Sequence, residues 1–228
     1  VKSPQGRLLV VVNAPFSRTP YVGKTIDRGV SLGVRDVNGR GGVVIGGKPY
    51  VLRVQRADNA LSPRRALQNV RRAVDDGAVA IVDEGTGVAA SWRVAQRAGV
   101  PIGIVYQGGE DLVDPETRPN VFRVAPSNHG IAFRLAEYLV PKKLKVALVH
   151  DDSDYGDDGA ESLRRAFSRN PEAVAISLRL PVTTGALDVA PQILRAKRAG
   201  ATALLVWGLP PTIASAITAA RTSGWDVP

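Results

Sequence analysis

The chain has 228 residues, no cysteine and no methionine, 30 Lys+Arg against 21 Asp+Glu, and 44% hydrophobic residues. That length permits one large domain or two small ones, and the apolar fraction suffices for a sizeable core. No run approaches the roughly 18 apolar residues of a membrane span, and without Cys neither a disulfide framework nor thiolate metal ligation is available. The formal charge of +9 raises nucleic acid as a partner. The basic residues, however, are dispersed as Arg64-Arg65, Arg71-Arg72, Arg164-Arg165 and Lys197-Arg198 with no interleaved aromatics, so solvated helix faces are expected and nucleic-acid binding is not. A start at Val1-Lys2-Ser3-Pro4 without Met is expected of a processed or trimmed product.

Arg7 to Val12 reads as a buried strand, followed by a loop over 13–20 and a helix from near Gly23 with Ile26, Val30, Val34 and Val37 on one face. Asn38-Gly39-Arg40-Gly41-Gly42 stops that helix, and Tyr50 to Gln55 supplies a strand polar enough to lie near an edge. Ser62-Pro63 places a cap and a first-turn proline in the right order for a helix carrying Leu67, Val70 and Val74. Val79 to Val82 is a short apolar run expected of a strand buried on both faces, and Val88, Trp92 and Ala95 mark the next helix. Further strands are expected at 101–106, 121–126, 146–149, 173–180 and 203–207. The helices between them start at the Ser127 cap, at Tyr155, at Asp188 and at Pro211.

Glycines at 77, 99, 200 and 224 each close a helix just before the next strand, the short junction of parallel sheets. The fold class is therefore α/β, built on parallel sheets. The long link 107–126 interrupts the rhythm, so lobes are expected at 1–121 and 122–228, with the crossover near 122–126. The chain reaches Trp225-Asp226-Val227-Pro228 where a strand should begin, so the second lobe is expected to be incomplete and the chain a fragment.

Ligand binding is expected at Asp83-Glu84-Gly85-Thr86-Gly87, because this polar loop leaves the carboxyl end of a buried strand and leads into a helix. That edge of a parallel sheet gathers helix N-termini and free backbone N–H groups, which is where ligands bind. A solvated turn is the competing reading. Tyr21, Tyr106, Tyr155 and Trp207 lie at or just after strand ends and could wall a pocket, with Thr86, Gln107 and backbone N–H groups such as that of Gly87 as its polar points. Core packing is the alternative for each aromatic taken alone. The loop from His150 to Asp154 could suit a hydrolase or an oxygen-ligand metal site, but its acids lack the required spacing, and Asp or Ser before a helix is ordinary capping. No Gly-x-x-x-x-Gly-Lys-Ser/Thr and no Gly-x-Ser-x-Gly occurs. No catalytic residue, metal ligand or cofactor is assigned, and a binding protein is expected rather than an enzyme.

Taken in order, several segments resemble the type I periplasmic solute-binding proteins, in particular the leucine/isoleucine/valine-binding family of ABC importers. They are the opening strand and loop through Gly23, Val34-Arg35-Asp36-Val37-Asn38 with Gly41-Gly42, and Asp58 with Ser62-Pro63-Arg64-Arg65-Ala66. Gly99-Val100-Pro101-Ile102, Phe122-Arg123-Val124-Ala125-Pro126 and Val149-His150-Asp151-Asp152-Ser153-Asp154-Tyr155-Gly156 continue the likeness, which covers essentially the whole chain. The resemblance implies two Rossmann-like lobes with parallel sheets that hinge closed on a small organic ligand, a membrane permease as partner, no span of its own, and a periplasmic or extracellular location, free or lipid-anchored. It also implies that returning strands and a later acidic ligand residue follow Pro228. A ligand-sensing receptor or regulatory domain of the same fold is the alternative. The chain departs from the amino-acid binders at Asp83-Glu84-Gly85-Thr86-Gly87, where those show Gly-Pro followed by serines. It departs again at Ile104-Val105-Tyr106-Gln107-Gly108, where their usual threonine hydroxyl is missing. The expected ligand residues are Tyr21, Asp83, Glu84, Thr86, Gly87, Tyr106, Gln107, Tyr155 and Trp207, for an amino-acid-like or aromatic or branched organic acid. An amine is expected instead if Asp83 and Glu84 face the ligand.

Overall fold

A computed structural model describes residues 6–169, 178–183 and 188–228. The chain divides into two compact units, Val1–Ala125 and Pro126–Pro228. Each has its own sheet and core.

The first unit runs β1 (Gly6–Ala14), α1 (Pro20–Gly39), β2 (Val43–Ile45), β3 (Lys48–Asp58), α2 (Pro63–Asp75), β4 (Ala78–Asp83), α3 (Val88–Arg97), β5 (Ile102–Ile104) and β6 (Val121–Arg123). Its six strands lie in the order β2-β3-β1-β4-β5-β6, parallel except for β2, which returns antiparallel on β3. Strand β2, which pairs with β3 as a hairpin, had no sequence expectation. Gly46 and Gly47 turn the hairpin with φ of 56° and 76°, the left-handed pair that a two-residue hairpin needs. From β1 the chain crosses by α1 to β3 on one side, then by α2 to β4 on the other. The order of connection thus reverses between β1 and β4, and the loops leaving these two strands diverge to leave a crevice at the carboxyl edge.

Alternation along β1 divides the core. Val12 and Ala14 meet Val22 and Ile26 of α1, while Leu9 and Val11 join Val70 and Ala73 of α2, Ile81 of β4 and Trp92 and Ala95 of α3. Proline at N1 starts α1 at Pro20, ahead of the Gly23 expected from sequence, because its missing N–H is not needed there. Ser62 accepts a hydrogen bond from the Arg65 amide and caps α2 as its sequence indicated.

The second unit runs α4 (Asn128–Leu139), β7 (Val146–Asp151), α5 (Asp154–Ser168), β8 (Leu178–Val182), α6 (Ala190–Arg198), β9 (Ala203–Trp207) and α7 (Pro210–Thr222). Its parallel sheet is ordered β8-β7-β9. Val146 and Leu148 pack with Ala160 and Leu163 of α5, and Ala147 and Val149 pack with Ile193 of α6 and Ala216 of α7. Every β7 position is buried, as a central parallel strand requires. The strand expected at 173–180 falls partly outside the described residues, at 173–177. Gly77, Gly99, Gly200 and Gly224 all take φ between 63° and 75°, matching their reading as helix terminators. No helix among the described residues is long and apolar enough to cross a membrane.

Candidate functional site

The crevice between β1 and β4 in the first unit is built from polar residues at strand ends. Asn13 and Asp83 are direct cross-strand partners, and both point to the α2 face. The Asn13 Nδ2 donates to Asp83 Oδ2 at 2.7 Å, and the Gly85 amide donates to Asp83 Oδ1 at 2.7 Å. From α2, Asn69 Nδ2 donates to Asn13 Oδ1 at 2.9 Å. Glu84 points elsewhere in the same loop. Its Oε1 accepts from Asn59 Nδ2 at 3.1 Å and from the Thr86 amide at 2.9 Å, while Gln107 Nε2 approaches Oε2 at 3.5 Å and donates to Thr86 Oγ1 at 3.1 Å. Backbone bonds from the Glu84 amide to the Asn13 carbonyl and from the Gln107 amide to the Glu84 carbonyl stitch the three loops together.

Two carboxylates are therefore taken out of water side by side, Asp83 at 0% and Glu84 at 1% exposure, without a basic side chain bonded to either among the described residues. Burial, with the neighbouring Glu84 charge adding to it, pushes Asp83 up to about 7, although the Gly85 amide and Asn13 pull the other way. Both acids act on the loop itself, holding its amides in place. Thr86 and Gln107 are half-buried, and Tyr21 and Tyr106 are each 43% exposed at the same edge of the sheet. Gly87 is buried at the N-terminus of α3, a helix start with no side-chain cap, where the Val88 and Ala90 amides already donate to the Gly85 and Gly87 carbonyls.

The loop that leaves β3 also bears on this crevice. Ala60 and Leu61 both have left-handed φ, 49° and 56°, which costs non-glycine residues about 1 kcal/mol or more each. Asp58 and Asn59 hold them there: Asp58 Oδ1 accepts from the Ala60 amide and Asn59 Oδ1 from the Leu61 amide. Asn13, Asn59 and Asn69 were absent from the residues expected from sequence. One signal could have found two of them: Asn13 stands at the end of β1 and Asn59 just after the end of β3, each ahead of a βα loop, as Asp83-Glu84 stands at the end of β4.

In the second unit the same edge carries His150, Asp151, Tyr155 and Trp207. Asp151 is buried; its Oδ1 accepts from the amide and hydroxyl of Ser153, and its Oδ2 accepts from the Leu209 amide at 3.1 Å. Ser153 in turn caps α5 through the Gly156 amide, so this loop is the capping loop its spacing indicated. His150 is buried, with Nδ1 2.9 Å from the Asp151 carbonyl oxygen. Tyr155 is half-buried and packs 5.8 Å from the Trp207 ring, and its hydroxyl is pushed up by burial and then by the Asp151 charge. Trp207 is only 4% exposed, and its indole lies so close to Gly159 of α5 that a Cβ there would meet Nε1 at 2.1 Å. Among the described residues no three His, Asp or Glu side chains are grouped to hold a metal ion. Replacing Asp151 with alanine should remove the acceptor of the half-buried Ser153 and Leu209 amides and cost the second unit about 1 kcal/mol for each, read as faster hydrogen exchange in β7 and β9.

A polar, hydrogen-bonded loop at the reversal point of a parallel sheet is the frame on which the comparison with known proteins rests. The periplasmic binding protein family model matches residues 10–228. This chain belongs to that family. Within it the likeness is to the type I, leucine/isoleucine/valine-binding proteins. The Leu/Ile/Val-binding protein homolog 7 of Brucella suis is 28% identical over 204 residues, covering 84% of this chain and 49% of that protein. An amino acid binding protein of Pseudomonas aeruginosa is 27% identical, over 86% of this chain and 52% of its own length. The crystal structure of a type 1 periplasmic binding protein from Bordetella pertussis is similar with a TM-score of 0.78 at 27% identity, covering 97% of this chain and 61% of that one. This periplasmic binding protein chain thus spans about half the length of the curated relatives it matches.

Proposed function

We propose that this chain is the solute-recognising part of an extracytoplasmic binding protein serving an ABC importer, located in the periplasm or outside the cell. Its partners are a small-molecule ligand and a membrane permease, and it acts by binding, without chemistry. The ligand is a small organic acid, amino-acid-like or with an aromatic or branched body. Membership of the periplasmic binding protein family supports the role. The observation that carries the ligand class is the uncapped N-terminus of α3 at Gly87, set beside the Thr86 hydroxyl.

Thr86 and the amide of Gly87 receive the carboxylate, and Gln107 orients the Thr86 hydroxyl by donating to its oxygen, which leaves the hydroxyl proton for the ligand. Tyr21 and Tyr106 offer their exposed ring faces to the apolar body. In the second unit Tyr155, with Trp207 behind its ring, is a further aromatic candidate for ligand contact. Asp83 and Glu84 shape the loop from beneath: their oxygens already accept from Asn13, Asn59 and the Gly85 and Thr86 amides, so an amine would have to displace these donors. Names of relatives that bind leucine, isoleucine and valine, or amino acids generally, agree with a carboxylate ligand.

The test is a thermal-shift screen of amino acids, aromatic acids and polyamines. A ligand at 100 times its Kd should stabilise the protein by about 2.7 kcal/mol. Carboxylates are expected to shift the transition, and Thr86→Val should weaken that response. Shifts with polyamines and none with carboxylates would overturn the ligand class and assign Asp83 and Glu84 as an amine clamp.

A further inference from the structure

A groove of about 260 Å³ opens in the first unit between β3 and the flank of α2, lined by Gln55, Arg56, Asp58, Arg65, Asn69 and Arg72 over a floor of small apolar residues. Arg65, Asn69 and Arg72 stand four and then three residues apart on α2, which places them in one row along the helix. The ends of that row are closed by Arg65 Nη2, 3.4 Å from Asp58 Oδ2, and by Gln55 Nε2, 3.3 Å from Asp76 Oδ2.

The charges in this groove are unequally matched. Arg56 is held by both oxygens of Asp27, at 2.7 and 2.8 Å. Asp58, the acid in the groove, is already used: it accepts from the amide and hydroxyl of Ser17 and from the Ala60 amide. Burial alone would raise its pKa, but these donors and Arg65 hold it below the usual carboxylate range, so it stays ionised and locked to its loop. Arg72 has no acid partner among the described residues, and the single contact of Arg65 to Asp58 is long. The row thus presents two guanidinium groups and an amide to a concave space, the donor set that suits a small anion with several oxygens. The amide of Asn69 also reaches the ligand crevice, because it donates to Asn13, which donates to Asp83.

We propose that the groove between β3 and α2 binds a free small oxyanion of the phosphate or sulfate class, at a site separate from the crevice at Thr86. It is independent of the solute reading, since neither Thr86 nor Gly87 lines it.

The test is calorimetric titration of the 228-residue chain with inorganic phosphate and with sulfate, ionic strength being held constant with chloride. Saturable binding is expected, weakened roughly tenfold by Arg72→Gln, abolished by the double change Arg65→Gln with Arg72→Gln, and within about twofold of the parent in Arg35→Gln, whose side chain lies on α1 outside the groove. Circular dichroism melts of the variants matching the parent in chloride would assign the loss to the site rather than to folding. No saturable binding of either anion would overturn the proposal, as would an equal loss in Arg35→Gln. Sedimentation with phosphatidylglycerol vesicles without any response to inorganic phosphate would overturn it too, by assigning the groove to a lipid headgroup.

Discussion

Gly87→Ala should loosen the first unit by about 3 kcal/mol and remove most of the ligand response. A Cβ at Gly87 would sit 2.0 Å from the Cβ of Ala66, in the first turn of α2, and 3.3 Å from the Ala66 Cα. Carbon atoms in contact prefer about 3.5–4.0 Å, so the β4–α3 loop must lift away from α2. That lift would carry Thr86 and the first amides of α3 with it. The neighbouring Gly85 offers no slack, because its φ is 128° and a Cβ there would meet the Gln107 side chain at 2.5 Å. Ala66→Gly gives a second arm. By itself it costs about 1 kcal/mol as a glycine in a helix, yet it removes the atom that the added methyl group would strike. The double variant should be more stable than Gly87→Ala alone, measured by hydrogen exchange of the β1 and β4 amides. Additive losses would show that the two positions do not touch, against the packing of α2 on the β4–α3 loop.

Stability of the first unit should fall as pH rises from about 4 to about 7, the reverse of the usual acid-labile pattern. Asp83 is the cause: burial raises it to about 7, and the Glu84 charge adds to the rise, against an unfolded value of about 3.9. Below about pH 4 both folded and unfolded chains carry the proton. Between there and about 7 the unfolded chain has lost it while the folded chain keeps it, so the folded state binds more protons and each pH unit costs up to about 1.4 kcal/mol. Above about 7 the curve levels. Two features keep the window clear. Both histidines, His129 and His150, lie in the second unit. The shifted carboxylates Asp58 and Asp114 of the first unit are held below their usual range. Burial opposes this at Asp58, where the Ser17 and Ala60 donors prevail, and Asp114 is lowered by the Thr117 hydroxyl and amide, so both act at lower pH. Asp83→Asn should flatten the dependence whatever it does to absolute stability. A slope unchanged by that substitution would remove Asp83 as its source.

The same carboxylate bears on function. An anionic ligand held at Thr86 meets less repulsion when Asp83 carries its proton, so solute affinity for a carboxylate should be higher at pH 6 than at pH 8, roughly by the charge effect of one nearby group.

Much of this molecule is legible from local signals. The run Val79 to Val82 marks a strand, although Val79 is 42% exposed, so β4 is not buried on both faces as expected, and the helical spacing of Val88, Trp92 and Ala95 marks a helix because burial imposes a period of 3.6 on the residues themselves. Ser62, Ser127 and Ser153 could be read as caps because each bonds an amide three residues on, within its own stretch of chain. The polar loop at 83–87 could be read as a sheet-edge loop for the same reason. Strand β2 was missed because its three residues, two of them exposed, carry too short an alternation to register.

What each polar side chain of that loop faces is a different matter, and only the tertiary structure decides it. Asn13 meets Asp83 across 70 residues of chain, and Asn69 meets Asn13 across 56. Those encounters follow from β1 lying between β3 and β4 and from the register that pairs Asn13 with Asp83. Sequence determined that acids and amides would stand at strand ends; strand order and register determined that they would meet, be buried and bond to one another. The physical reason is range: secondary-structure periodicity and capping act within a few residues, whereas the desolvation of a carboxylate depends on every element packed against it.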